Sequence, residues 1–491
     1  MHNQISENRP STVMAMVHVP QTKLCVGSSQ ETRQALAEEY GFHPSLLDDE
    51  LPAEEVIVPA FYIDEYPVTN EEYAAFLNQT GYREPLYWRQ TELPERRDHP
   101  AVGISGNDAH AYAEWVGKRL PTAVQWEAAF QGAACARRQL SVTRQWLPPT
   151  QGKAAWQGIR SLHGVAGFGE VSEWTSDTTP HQETTFRLLK GPSWIFEEPW
   201  SLRKETAIWA FSLWGFVFTG FRCVSNSPVS PTPTHHLVMP AGGNFQSEES
   251  ESLAPPETHL KYRGESSIEL HFSEPSVRAA LNCPETHPFE TPDVPWFNGV
   301  CAQEPGNAQA CKRLDYSLTD KGLTLNISLE TAPDTCSLQY RLSNSTDRTE
   351  KRCVSTCVSL GGEPLLYDVE GTRTYCWLGC GEWLPLTTLP RTAWKCTRWY
   401  NGPARRELPE GMSAALLAVQ SRDNALTFGY GWAGLEHTPN ILNNFCFTCL
   451  HIDPIMIVEK GKEKVLNARL YCVRGTLDDL LDRFKSDFSL P

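Results

Sequence analysis

Three segments in the first half of the chain carry apolar residues at helical spacing directly after a helix-start signal. The signal is a Ser or Thr followed three residues later by a side chain that can bond back to the backbone. Glycine then closes each segment, as is typical of helix ends. The pattern predicts three helices, which begin with the pairs Thr69–Glu72, Ser105–Asp108 and Thr122–Gln125 and end at Gly81, Gly117 and Gly132.

The second half has a different period. Apolar and polar residues alternate there, which predicts half-buried strands rather than helices. The predicted strands lie at 268–272, 323–329, 413–420 and 425–432. A turn at 421–424 joins the last two into a hairpin. One more helix is predicted from Thr476. Because strands predominate before it, we expect residues 258–491 to form a mainly-β, sandwich-like domain.

Composition separates these two regions. A chain of 491 residues is too long for one core and predicts about two to three domains. Residues 227–257 are rich in Ser, Pro, Thr and Glu, a composition that cannot bury a core and indicates a linker. We therefore expect a first domain at 11–226, a linker at 227–257 and a cysteine-rich second domain at 258–491.

Charge narrows the classes of partner. The formal net charge is −16, whereas nucleic acids and anionic membranes bind proteins with concentrated positive charge. We therefore expect neither nucleic acid nor membrane as partner. The amino terminus lacks the pattern of a secretory signal, and no apolar run approaches the length of a membrane span. The expectation is a soluble cytoplasmic protein.

Cysteine is concentrated in the second domain. Of 15 cysteines, three lie before residue 240 and twelve after it. Without an export signal, most are expected to be reduced and buried. Cys353 with Cys357 and Cys376 with Cys380 are accordingly interpreted as buried thiols, with disulfides as the alternative if the protein is exported.

One cluster in the second domain has zinc-like spacing. Cys446 and Cys449 are separated by two residues, which lets both thiolates reach one ion, and His437 and His451 could complete a tetrahedron. No second Cys-x-x-Cys accompanies the pair. Residues 442–450 are also apolar enough to form a buried strand, so both interpretations stay open.

Five segments of the first domain, in order, resemble the sulfatase-modifying-factor family, that of the formylglycine-generating enzyme. They lie at 16–20, 61–73, 99–127, 173–177 and 220–223, the last reading Gly-Phe-Arg-Cys. The resemblance implies an α+β domain of variant C-type-lectin-like fold. In the family, the Gly-Phe-Arg-Cys segment forms a core strand. The resemblance therefore implies a structural role for Cys223.

In the formylglycine-generating enzyme of the family that the chain resembles, two cysteines five residues apart bind copper and oxidise the substrate. The corresponding positions here are Phe196 and Ser201. Neither side chain replaces a thiolate as nucleophile or soft metal ligand. We therefore expect no formylglycine-generating oxidase activity and name no catalytic residue. Whether the protein is an enzyme stays open.

The family's calcium sites are also altered. Gly169, Val171 and Glu173 match the ligands of one site, but Ala166 stands where the family supplies an Asp or Asn side chain. Calcium prefers six to eight oxygen ligands, so the resemblance implies at most weak calcium binding. The cofactor is otherwise unknown, with zinc in the second domain as a lesser alternative.

The loop at the redox positions mixes aromatic and charged residues, and such a mixture can hold a polar ligand. We expect this loop to bind a small polar ligand or a protein partner. An ordinary polar loop over core tryptophans is the competing interpretation. The alternative function is a divergent formylglycine-generating-type oxidase or a non-haem metal-dependent oxidoreductase. The expected ligand-binding residues are Trp194, Phe196, Glu197, Glu198, Trp200, Ser201 and Arg203.

Overall fold

The structure is a computed structural model of the chain. The residues it describes are 16–85, 96–133, 152, 160–181, 184–228, 257–264, 267–284, 295, 297, 299–303, 310–354, 356–360, 363, 365–379, 381–389, 413–436, 440–444 and 448–491. They form two compact units. The first unit lies within Met1–Leu36, Leu47–Leu140 and Leu147–Ser250, and the second within Ala37–Leu46, Ser141–Trp146 and Glu251–Pro491.

The fold is mixed, with many strands and few helices. The α-helices of the described residues are α1 (Gln30–Tyr40), α2 (Asn70–Thr80), α3 (Gly106–Trp115), α4 (Ala123–Ala129) and α5 (Leu477–Phe488). Short 3-10 helices lie at Pro44–Leu47, Pro199–Ser201 and Leu386–Thr388. None of the described helices is long and apolar enough to cross a membrane.

The predicted helix starts are confirmed. Helices α2, α3, α4 and α5 each begin with a complete capping box, in which the hydroxyl and the side chain three residues later bond reciprocally to the backbone. Gly81 ends α2 in the left-handed conformation, with its N–H bonded to the carbonyl of Leu77. These helices therefore begin at the predicted residues because the signal is local.

The first unit contains short sheets. Its strands are β1 (Met16–Val19), β2 (Thr22–Val26), β3 (Glu54–Val58), β4 (Phe61–Asp64), β5 (Ser172–His181), β6 (Thr184–Lys190), β7 (Ala207–Phe211), β8 (Thr219–Gly220) and β9 (Val224–Ser225). The sheet orders are β1-β4-β9, β2-β3 and β7-β6-β5-β8. Aromatic rings fill the core beside α4, with Trp126 and Phe130 4.3 Å apart between ring centroids.

The second unit is built from longer antiparallel sheets. Its strands are β10 (His259–Gly264), β11 (Ser267–Phe272), β12 (Val277–Asn282), β13 (Val300–Gln303), β14 (Arg313–Asp320), β15 (Leu323–Ala332), β16 (Thr335–Asn344), β17 (Glu350–Cys353), β18 (Cys357–Ser359), β19 (Thr374–Trp377), β20 (Leu384–Pro385), β21 (Ala414–Gln420), β22 (Leu426–Ala433), β23 (Asn440–Asn444), β24 (Cys449–Asp453), β25 (Ile455–Val458) and β26 (Glu463–Arg474).

These strands form a six-stranded sheet, β10-β11-β12-β18-β24-β23, and a nine-stranded sheet, β13-β14-β15-β16-β26-β22-β21-β19-β20; β17 pairs with β25. Buried positions alternate along β11 and β15, as their sequence pattern predicted. The predicted hairpin is β21 and β22, which pair antiparallel. The apolar stretch 442–450 is not one strand, because β23 ends at Asn444 and β24 begins at Cys449.

Helix α5 packs against the nine-stranded sheet, where two glycines make room for it. A Cβ on Gly429 would lie 2.7 Å from Leu480, and one on Gly431 would lie 2.5 Å from Phe484. Both side chains of the helix are fully buried. The close approach therefore depends on the absence of side chains at these two positions of β22.

Candidate functional site

The loop with Phe196 and Ser201, where the resemblance implies the redox positions, follows β6 and begins at Gly191. This glycine has φ +79°, and a Cβ there would lie 2.4 Å from the ring of Trp126. Only glycine combines this backbone conformation with such a close approach. The loop then forms the 3-10 helix Pro199–Ser201 and continues into β7.

Phe196 and Ser201 both point into protein. Phe196 is 2% exposed, and its ring stands edge-on to Phe218. Ser201 is fully buried; its hydroxyl donates to the carbonyl of Glu198 at 2.8 Å, and its own carbonyl accepts from Thr206 Oγ1 at 2.8 Å. Both residues therefore stabilise the loop itself.

The loop does not present a tryptophan-bordered groove. Trp194 and Trp200 are buried along with Phe196 and Ser201. Trp194 Nε1 donates to the carbonyl of Val217 at 3.3 Å. The large apolar rings of the expected binding residues therefore fill the core and offer no exposed face to a ligand. The remaining predicted binding residues, Glu197, Glu198 and Arg203, are half-buried.

Arg203 belongs to an ion cluster at the base of this loop. Its Nη2 contacts Glu50, and its Nε donates to the carbonyl of Trp200 at 2.8 Å. Glu50 is buried and also accepts from the hydroxyl of Ser28. Burial raises the pKa of Glu50, and the positive charge of Arg203 offsets part of that rise. Arg203 is thus engaged within the protein.

Glu127, on α4, forms a second charged cluster in the core. Glu127 and Lys190 are fully buried, with Nζ and Oε1 2.8 Å apart. The other carboxylate oxygen accepts from Lys204 at 3.1 Å and from the N–H of Gly27 at 2.9 Å. Burial acts to raise the pKa of Glu127, but Lys190 and Lys204 outweigh it and hold that pKa below its usual value. The carboxylate therefore stays charged and ties the loop to α4.

The carboxylate predicted to bind calcium contacts an arginine. Glu173 Oε2 accepts from Arg222 Nε at 2.7 Å, and Oε1 accepts from Arg222 Nη2 at 2.8 Å. Arg222 also donates to the carbonyl of Ala166 at 2.9 Å. Gly169 and Val171 are buried in the loop before β5. The bidentate pair balances both buried charges within the protein.

Cys223 has a structural position, as expected. It is fully buried, and its N–H donates to Asp64 Oδ2 at 2.9 Å. Burial raises the pKa of the Cys223 thiol well above its usual value, and the nearby Asp64 carboxylate raises it further. The thiol is therefore protonated at neutral pH and is a poor nucleophile. Cys25, in contrast, is exposed on β2.

Apolar side chains reach solvent just after β7, and we term them the 211–214 surface. Leu213 is 64% exposed and Trp214 is 38% exposed. The ring of Trp214 lies 4.2 Å from that of half-buried Phe211, between centroids. Phe211 in turn packs against buried Phe186. Packed aromatic rings therefore support Trp214, and the exposed Leu213 precedes it directly in the chain.

The family model for the sulfatase-modifying factor enzyme 1-like domain matches residues 2–227 of this sequence. Residues 2–227 therefore form a sulfatase-modifying-factor-like domain. No family model matches the carboxyl-terminal region. Glu173, Arg222 and Cys223 all lie within the matched range.

Relatives of this domain differ in their named activities. The inactive C-alpha-formylglycine-generating enzyme 2 of Mus musculus is 28% identical, over 37% of this chain and 74% of its own. The formylglycine-generating enzyme of Bos taurus is 30% identical, over 39% of this chain and 59% of its own. The hercynine oxygenase of Mycobacterium tuberculosis is 28% identical, over 36% of this chain and 56% of its own. The chain thus spans under two thirds of the last two relatives.

Among solved structures, a galactose mutarotase related enzyme from Lactobacillus acidophilus aligns with 45% of this chain and 98% of its own. The identity is 8% and the TM-score 0.27, which is too low to assign a fold.

Outside the sulfatase-modifying-factor-like domain, two of the four predicted zinc ligands meet. Cys449 and His451 lie on β24, with Sγ and Nε2 3.1 Å apart. The third member of their cluster is Cys357, whose sulfur is joined to that of Cys449 in a disulfide. The expectation of a free thiol at Cys357 is therefore wrong. His437 and Cys446 lie outside the described residues.

The ion pair of Glu127 with Lys190 and the contact of Cys357 with Cys449 were not predicted from the sequence. A signal existed for Glu127, because it follows Trp126 directly in a helix whose other residues, apart from Gln125, are apolar. Lys190 precedes the Gly191 turn and carries no such mark. Cys357 is 92 residues from Cys449, and no local pattern links two residues so far apart.

Proposed function

We propose that the sulfatase-modifying-factor-like domain is a recognition module without formylglycine-generating oxidase activity. The main support is the burial of Phe196 and Ser201 at the positions of the family's copper-binding cysteines. The phenyl ring of Phe196 offers no donor atom, and the buried hydroxyl of Ser201, which is bonded to the carbonyl of Glu198, is a poor substitute for a thiolate as copper ligand or nucleophile. The mouse relative is named the inactive C-alpha-formylglycine-generating enzyme 2, which agrees with this proposal.

The enzymatic alternatives have less support. Another oxidase would need converging thiols, yet among the described cysteines of the first unit Cys223 is buried and protonated while Cys25 is exposed on a different strand. A non-haem metal enzyme would need at least three close ligands. Within the described part of the first unit, no three His, Cys, Asp or Glu side chains are placed to share an ion.

Recognition would use the 211–214 surface rather than the neighbouring loop, whose tryptophans are buried. Exposed aromatic and aliphatic side chains on a rigid base lose little entropy when they bind a sugar ring or a peptide. The ligand would be a small polar molecule or a protein partner with an apolar face. The calcium interpretation remains as weak binding near Glu173, in competition with Arg222.

We also propose a specific fold class for each of the two units. The short sheets and capped helices of the first unit fit a variant C-type-lectin-like domain. The two large antiparallel sheets of the second unit fit a β-sandwich, because buried residues alternate along β11 and β15. The proposed boundaries are 11–226 and 258–491, with a linker between them.

The oxidase claim is tested by incubating the protein with a Cys-containing sulfatase peptide, copper and oxygen. The bovine formylglycine-generating enzyme serves as positive control. We expect the peptide mass to stay unchanged with this chain and to change with the control. Formation of formylglycine by this chain would refute the proposal.

The recognition surface is tested on arrays of glycans and peptides with labelled protein. We expect binding to be lost in the variant Leu213→Ser/Trp214→Ala. The matched control is Ile57→Ser, which changes an equally exposed apolar residue of the same unit (63% exposed) and should bind as the unchanged protein does. Equal binding by all three proteins would exclude the 211–214 surface.

A further inference from the structure

The second unit contains a buried cluster of soft ligands, whereas the proposed recognition surface belongs to the first unit. Cys357, Cys449 and His451 each place a donor atom within 4.8 Å of the other two. Their exposures are 6%, 4% and 2%. Among the described residues, these three are the His, Cys, Asp or Glu side chains that lie close enough together to hold one metal ion.

The six-stranded sheet itself positions these donors. Cys357 on β18 lies directly opposite His451 on β24, so the two side chains share one face of the sheet. Cys449 precedes His451 by two residues on the same strand and therefore shares that face too. Backbone hydrogen bonds between β18 and β24 thus fix all three donors without depending on a flexible loop.

The structure shows the two sulfur atoms joined, and the imidazole lies beside them. A disulfide needs no histidine, yet His451 Nε2 lies 3.1 Å from Cys449 Sγ in a buried site. We propose that, when both thiols are reduced, Cys357, Cys449 and His451 bind a zinc ion, with a fourth position for water or another donor. Two thiolates and an imidazole are the ligands zinc prefers.

The geometry is compatible with this ion. Tetrahedral zinc with Zn–S distances of about 2.3 Å separates two sulfur ligands by about 3.8 Å, and sulfur from nitrogen by about 3.6 Å. Both values lie within the 4.8 Å spread of the cluster. Small side-chain rotations after reduction therefore suffice, and no strand has to move.

Disulfide formation and metal binding exclude each other, because both use the same sulfur electrons. A low-molecular-weight disulfide, RSSR, can accept two electrons from the two thiolates. The S–S bond between Cys357 and Cys449 then forms, the S–S bond of RSSR breaks, two RS⁻ ions leave and the zinc ion is released. The cluster would therefore hold zinc only under reducing conditions.

The first test is titration of the full chain, reduced and freed of reductant under anaerobic conditions, with Co²⁺ as a spectroscopic substitute for zinc. We expect one ion per chain, thiolate-to-cobalt charge-transfer absorption, and displacement of cobalt by zinc. Cys357→Ser and Cys449→Ser should each lower the cobalt affinity at least about tenfold, because even the loss of a residue that only supports a metal ligand lowers metal affinity by about that factor. The control Cys472→Ser changes a buried free thiol of the same unit and should leave binding unchanged.

The second test needs no variant. Zinc should raise the Tm of the reduced protein, because an ion that binds only the folded state stabilises it. After oxidation with glutathione disulfide, zinc should cause no shift. The proposal is overturned if the reduced chain shows no thiolate–cobalt absorption, if Cys357→Ser and Cys472→Ser bind cobalt equally, or if zinc stabilises both redox forms alike.

Discussion

Replacing Lys190 by methionine removes one charge from a fully buried pair while keeping a side chain of similar size. In the unchanged protein, Lys190 Nζ lies 2.8 Å from Glu127 Oε1 and donates to the carbonyl of Glu205 at 2.9 Å. Glu127 would then keep only Lys204 and the N–H of Gly27 as partners. A carboxylate without exposure to water would be left with too little positive charge around it.

Breaking a buried pair in this way costs about 3–5 kcal/mol. In a unit of this size, about 2–4 °C of Tm is lost per kcal/mol, so we expect a fall of roughly 6–20 °C. The matched control is Lys23→Met. Lys23 lies 2.6 Å from Glu55, but both side chains are more than half exposed, and such pairs contribute at most about 1 kcal/mol.

The loss should depend on pH in a defined direction. The folded-state pKa of Glu127 is below its usual 4.5, so its charge contributes stability above pH 4.5. That contribution disappears as pH falls through the lowered pKa. The stability difference between the Lys190→Met variant and the unchanged protein should therefore be full at neutral pH and shrink in acid.

The assay is urea unfolding followed by hydrogen exchange of peptides from residues 120–130, which reports on the first unit alone. The double variant Glu127→Leu/Lys190→Met should recover most of the loss, because it leaves no uncompensated charge in the pair. Equal stability of Lys190→Met and Lys23→Met, or a double variant as unstable as Lys190→Met, would refute the reasoning.

Three further outcomes are expected. Iodoacetamide at about pH 8 should modify Cys25 and spare Cys223 in the folded protein, as mass mapping will show, because burial raises the pKa of Cys223. Gly191→Ala should destabilise the first unit by about 2–4 kcal/mol in urea, since it combines a positive φ with a clash against Trp126. Thr476→Ala should cost about 1 kcal/mol through loss of the α5 cap, measured by thermal unfolding.

Features with a local cause could be predicted from the sequence. Thr69, Ser105, Thr122 and Thr476 each start a helix because the bonds of a capping box join residues only three positions apart. The strands of the second unit follow from alternation between buried and exposed faces. The family assignment of the first domain likewise rests on ordered local motifs.

Features that depend on distant residues could not be predicted. The sequence around Trp200 does not reveal whether its ring faces solvent or the core, since that depends on what the rest of the unit packs against it. Lys190 meets Glu127 from 63 residues away, and Cys357 meets Cys449 from 92 residues away. Such contacts arise from sheet pairing and core packing, which leave no periodic trace at either partner.

We propose that this sulfatase-modifying-factor-like domain binds a ligand and does not oxidise a substrate cysteine. The most direct measurement is the mass of a Cys-containing sulfatase peptide after incubation with the purified chain, copper and oxygen. We predict that every peptide molecule keeps its cysteine. A copper-dependent product with formylglycine at that position would show that the domain is an oxidase after all.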